Sequence, residues 1–137
     1  MNIDIIDLLR KRYMLSRKSI EKMWNEESDI HLSHSEWLII DRLFDGQQTI
    51  AEVCRIVDIT RQGTHKLIKK LEENGLVVTG KMKNNKRDKY VKLTEFGIAC
   101  FEKNKALKIR LEDQIKNAIG TEQYSKLKQL LAADWGL

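Results

Sequence analysis

The chain has 137 residues, 42% hydrophobic and 33% charged, with a formal net charge of +5 at pH 7. That length suits one compact core rather than a catalytic domain joined to a separate regulatory one, and the composition excludes general disorder. There is no proline, and the seven glycines are scattered from Gly46 to Gly136, which leaves few helix breakers and argues against an all-β barrel or a collagen-like chain.

A long first helix is expected from Ile3 to about Glu27, because Ile6, Leu9, Tyr13, Ile20 and Trp24 follow the three-and-four spacing of one helical face. Further apolar residues at Ile3, Ile5, Leu8, Met14 and Met23 widen that stripe beyond a single contact. Ser33 followed by Glu36 has the spacing of a capping box, opening a second helix through Phe44 that stops at Gly46. Thr49 and Glu52 repeat the device ahead of a short helix of about eight residues, with Ile50, Val53, Cys54 and Val57 facing inward. A further helix starts at Thr60, buries Leu67, Ile68 and Leu71, and ends at Gly75, where a left-handed residue can terminate it.

A short helix meeting a longer one across Asp58-Ile59-Thr60 is a helix-turn-helix. After Gly75 the period changes: Leu76 to Lys81 and Lys89 to Leu93 are predicted as strands joined by a basic tip from Met82 to Asp88, which makes a wing. Thr94 is expected to cap a helix reaching about Ile119, and Thr121 to cap a last one bearing Tyr124, Leu127, Leu130, Leu131 and Trp135. The first and the last two helices together carry more apolar surface than one copy can cover, so burial against a second copy is expected.

The charge is concentrated. From Thr60 to Lys92 ten basic residues stand against three acidic ones, a net +7, which leaves −2 for the other 104 residues. A local excess of this kind suggests a polyanionic partner. The N-terminal segment mixes charged residues with short apolar runs, unlike a signal peptide, and no apolar run reaches 18 residues, so no membrane span is expected. Two isolated cysteines, Cys54 and Cys100, do not form a disulfide framework, and the expected location is a reducing cytoplasm.

These residues resemble the MarR family of bacterial winged-helix transcription regulators. The likeness runs from Glu52-Val53-Cys54 through Ile59-Thr60, Lys66-Leu67-Ile68, Leu71-Glu72, Gly75-Leu76-Val77 and Val91-Lys92-Leu93-Thr94 to Gly97, and with the flanking helices it covers nearly the whole chain. The resemblance implies a mainly α fold with a small β-hairpin wing: a winged helix-turn-helix over residues 31–93, flanked by a helical dimerisation region of residues 1–30 and 94–137, all in one domain of residues 1–137. It further implies a homodimer on a pseudo-palindromic operator in double-stranded DNA, acting as a repressor and released by a small-molecule inducer. Where the family's wing often has an aspartate two residues before an arginine, this chain has Asn85 and Arg87.

The recognition-helix candidates are Thr60, Arg61, Gln62, Gly63, His65, Lys66 and Lys69. Arginine and lysine donate to guanine, glutamine bonds adenine, and histidine can do either. Lys69 and Lys70 are expected to meet phosphates or water. Gly63 either admits close approach of the backbone to DNA or is simply tolerated. In the wing, Lys83, Lys86, Arg87 and Lys89 can neutralise phosphates, and Arg87 can enter a minor groove.

His31 and His34 lack an assured third ligand, so no metal is expected, and no cofactor motif is present. The residue groupings that catalysis needs are also missing, so the chain reads as no enzyme. The alternative is a winged-helix protein-interaction or assembly module without specific DNA readout, whose binding would depend little on salt.

Overall fold

The computed structural model describes residues 3–137, apart from the side chains of residues 85–87. Its elements in chain order are α1 (Ile5–Glu27), α2 (His34–Phe44), β1 (Gln48–Thr49), α3 (Ile50–Val57), α4 (Arg61–Glu73), β2 (Val77–Met82), β3 (Asn85–Leu93), α5 (Glu95–Ile119) and α6 (Thr121–Ala132). The helices form where the caps are. The Ser33 hydroxyl accepts the Glu36 N–H at 3.2 Å, and the Glu36 carboxylate accepts the Ser33 N–H at 3.1 Å, a complete capping box.

At Thr49 only half of that box forms. The Thr49 hydroxyl accepts the Glu52 N–H at 3.1 Å, but the Glu52 carboxylate accepts a hydrogen bond from that same hydroxyl at 3.2 Å instead of bonding the cap's backbone. Thr49 belongs to β1, a two-residue strand absent from the sequence expectation, where it stands opposite Tyr90 of β3. The sheet is antiparallel in the order β1-β3-β2.

Helix α4 ends as expected. Gly75 has φ +79°, its N–H donates to the Glu72 carbonyl at 3.0 Å, and the Leu76 N–H donates to the Leu71 carbonyl at 2.9 Å. This is the paired closure that satisfies the last carbonyls of a helix and turns the chain straight into β2. Thr94 caps α5 by accepting the Gly97 N–H at 3.0 Å, and its hydroxyl donates to the Gly75 carbonyl at 2.6 Å, so one side chain ties the end of α4 to the start of α5.

Two expectations are corrected. Thr121 is the first residue of α6 and not its cap: Gly120, at φ +96°, occupies the cap position without a side-chain bond, because one residue both closes α5 and opens α6. The strands are also longer than expected, with β2 reaching Met82 and β3 beginning at Asn85, so the hairpin turn is Lys83-Asn84 rather than the whole stretch from Met82 to Asp88. Between Lys81 and Met82 the partner on β3 steps from Lys89 to Asn85, which leaves residues 86–88 as a bulge.

The chain divides into two compact units. Residues 28–103 hold the helix-turn-helix and the sheet, with a core of Ile39, Ile40, Leu43, Val53, Val57, Ile68, Leu71, Leu76, Val77 and Val91. Residues 1–27 and 104–137 form the other unit, where Trp24 and Leu107 are buried and Arg110 pairs with Glu27 at 2.7 Å. In this second unit large apolar side chains stand exposed on α1 (Ile5, Ile6, Leu8, Tyr13) and on α6 (Leu127, Leu130, Leu131).

Candidate nucleic-acid interface

The turn between α3 and α4 is built from three residues with different tasks. Asp58 closes α3 in the left-handed conformation (φ 50°, ψ 42°), which a short polar side chain tolerates better than a branched one. Ile59 is exposed, and Thr60 caps α4 by accepting the Gly63 N–H at 3.0 Å. Thr64 is fully buried, and its hydroxyl donates back to the Thr60 carbonyl at 3.0 Å within the first turn of α4.

A Cβ at Gly63 would lie 3.0 Å from the Thr60 hydroxyl oxygen and 3.4 Å from Cδ1 of Ile59, a tight fit that presses on the helix cap.

With Thr64, Ile68 and Leu71 buried, α4 turns Arg61, Gln62, His65, Lys66 and Lys69 outward, and all five are exposed. Residues four apart lie one above the other on a helix, so they form two parallel rows, Arg61-His65-Lys69 and Gln62-Lys66. Helix-turn-helix proteins read bases with the N-terminal part of such a helix. No acidic residue lies in the first turn, so the positive end of the helix dipole is left free for an anion.

Lys70 would be the next member of the second row, but it is engaged elsewhere. Its Nζ lies 3.2 Å from Oε1 of Glu36, whose side chain is 1% exposed, while the lysine side chain is 52% exposed. Lys70, expected to meet phosphate or water, thus also has a protein partner, the carboxylate that caps α2.

In the wing, Lys83 sits in the hairpin turn, and Lys89 is exposed on β3. Lys86 and Arg87 lie on the bulged part of β3, and their side chains fall outside the described residues. The same holds for the bracing expected around Asn85. The register adds a residue that sequence reasoning passed over. Lys81 is exposed and directly opposite Lys89, and paired residues across an antiparallel ladder project to the same face. By strand alternation that face also carries Val77, Val91 and Leu93, the residues turned toward the helices. On the other face Tyr90 stands opposite Gly80, and its ring occupies the space a Cβ of Gly80 would take.

The cysteines play no part in this surface. Cys54 is half-buried rather than fully packed into the core, and Cys100 is buried, which pushes its thiol above the ordinary range despite the opposing pull of the Lys103 ammonium. Among the described residues no helix is long and apolar enough to cross a membrane.

Residues 32–97 match the family model of the winged helix DNA-binding domain. Solved structures extend the likeness to nearly the whole chain. The apo form of wild-type MarR from E. coli superposes with a TM-score of 0.81 at 18% identity, covering 96% of each chain. NadR in complex with 4-hydroxyphenylacetate has a TM-score of 0.68 at 26% identity, covering 96% of this chain and 92% of its own. BpsR of Bordetella bronchiseptica, whose DNA binding is regulated by 6-hydroxynicotinic acid, has a TM-score of 0.71 at 18% identity over 93% and 95%. No curated protein sequence matches the chain.

Proposed function

We propose that this chain, whose residues 32–97 match the winged helix DNA-binding domain and whose fold is that of the MarR structures, is a homodimeric, sequence-specific transcriptional repressor. The observation that carries this reading is the outward face of α4. Five side chains able to donate to bases or phosphates stand there in two adjacent rows, members of each row one helical turn apart, beside a hairpin with lysines on the same side as the helices. Phosphate contacts from the wing and Lys69 set affinity and orientation, while Arg61, Gln62, His65 and Lys66 read base edges.

Dimerisation through residues 1–30 and 94–137 is supported by the apolar side chains left uncovered there, among them Ile6 at 68% and Leu130 at 63% exposure. Side chains of this size gain roughly 1.5–3 kcal/mol each on full burial, so a second copy is the natural cover. A two-fold dimer places two α4 helices in successive major grooves of a pseudo-palindromic operator. By analogy with 4-hydroxyphenylacetate in the NadR complex and 6-hydroxynicotinic acid, which regulates DNA binding by BpsR, a small aromatic acid is the class of inducer to test. The protein acts in the bacterial cytoplasm, where operator DNA is found.

Selecting bound sequences from a random duplex pool tests the proposal. A two-fold symmetric consensus, a solution mass of two chains, and log affinity falling linearly with log salt are expected. Binding that ignores duplex sequence and salt, or a mass of one chain at working concentration, overturns it in favour of an assembly module.

A further inference from the structure

We propose that Glu36 is a positioning residue for the reading face of α4, acting through Lys70, and that Lys70 is not a phosphate contact. The inference rests on the DNA-binding reading above. The sequence places Lys70 in the row of Gln62 and Lys66 and counts it among the cations of the basic segment. The structure gives its ammonium a partner within the protein, a carboxylate 34 positions earlier in the chain.

That carboxylate is held rigidly. Glu36 is wholly buried, and Oε1 accepts both the Ser33 N–H at 3.1 Å and the Lys70 ammonium at 3.2 Å. Oε2, buried as well, accepts no hydrogen bond from any described residue. An ion pair between a buried carboxylate with one oxygen unsatisfied and an exposed ammonium is a poor source of net stability, because desolvation of the carboxylate offsets much of the attraction. It does supply direction. The other contacts that seat α4 are Thr64, Ile68 and Leu71 in the core and, toward β2, the Glu72 carboxylate, which accepts the Thr79 hydroxyl at 2.7 Å. The Glu36–Lys70 bond joins the first turn of α2 to the last turns of α4 and so sets how far α4 is turned about its axis, and with it where His65 and Lys66 point. Neutralising Lys70 also removes one positive charge from the C-terminal part of α4.

The experiment measures the affinity of the full chain for its selected duplex and for random duplex across a salt series. Lys70→Met should leave the salt slope unchanged and lower the selected-to-random ratio at least fivefold. Glu36→Gln retains an acceptor for the Ser33 N–H; it should lower the same ratio and steepen the slope toward one more phosphate, about 0.9. Lys70→Arg, which keeps a cation opposite Glu36, should keep the ratio of the unaltered chain, and a thermal midpoint of Lys70→Met well above the assay temperature separates misplacement of α4 from loss of folding. A slope that flattens by about 0.9 in Lys70→Met with the ratio unaltered makes Lys70 a phosphate contact and overturns the inference alone. If the unaltered chain does not prefer its selected duplex, the DNA-reading proposal falls and takes this inference with it.

Discussion

Lys81 and Lys89 stand directly opposite one another in the β2–β3 ladder, two like charges on one face of the wing. Opposed residues in an antiparallel pair have Cβ atoms about 5 Å apart, and like charges there are destabilising by a few tenths of a kcal/mol to about 1 kcal/mol. A polyanion that sits between them relieves the repulsion. Lys81→Gln should therefore weaken binding to selected and random duplex by the same factor and flatten the salt slope by about 0.9, one phosphate's worth. Its thermal midpoint should stay level or rise slightly. A change confined to the selected duplex would assign Lys81 to base reading instead.

The outward rows of α4 predict a division of labour that a competition assay can separate. Replacing His65 and Lys66 with alanine should remove preference at the base positions they face, at about 1–3 kcal/mol for each good bidentate pairing with a base. Lys83→Ala, at the hairpin turn, should lower affinity for every duplex alike. Loss of preference from the Lys83 change alone would reverse the assignment.

Gly97 sits where the first turn of α5 crosses the start of β2, and a Cβ there would press into the Leu76 carbonyl oxygen and crowd Leu93. The backbone carbonyl cannot swing aside, because it accepts the Thr94 N–H at 3.0 Å. Gly97→Ala should destabilise the unit formed by residues 28–103 by about 1–3 kcal/mol, the usual range for forced overpacking. Denaturant unfolding measures this directly. A variant as stable as the parent would mean that α5 shifts without cost.

The two thiols should react in order. Cys54, half-buried, is expected to be modified first by a neutral disulfide reagent, and Cys100 much later, because burial raises its pKa and reduces its thiolate. The sign for stability follows from the same shift. A raised folded-state pKa means the unfolded chain releases the Cys100 proton first, so the contribution is complete below the unfolded thiol's pKa and is lost as pH rises through the folded value. Cys100→Ser should flatten the alkaline decline of stability, and a decline that stays as steep would place its cause elsewhere.

The helix starts at Ser33, Thr60 and Thr94 and the stop at Gly75 were legible in the sequence. Each rests on hydrogen bonds spanning at most about five residues, so residue type and spacing carry the information. The outward rows of α4 followed from helical period alone. The wing was legible only as a basic hairpin. Its register, the short turn at Lys83-Asn84 and the Lys81–Lys89 opposition depend on which residues meet across the ladder, and a shift in pairing is not encoded in either strand by itself. Strand β1 was invisible for the same reason, since two residues become a strand only because β3 lies beside them. Lys70 illustrates the limit best: by spacing it is one more outward cation, and only packing of α2 against α4 brings it to a carboxylate 34 residues away. Local hydrogen bonding thus determined where this protein's helices begin and end, while long-range pairing, which depends on how distant segments are brought together, decided which of its charges are available to a partner.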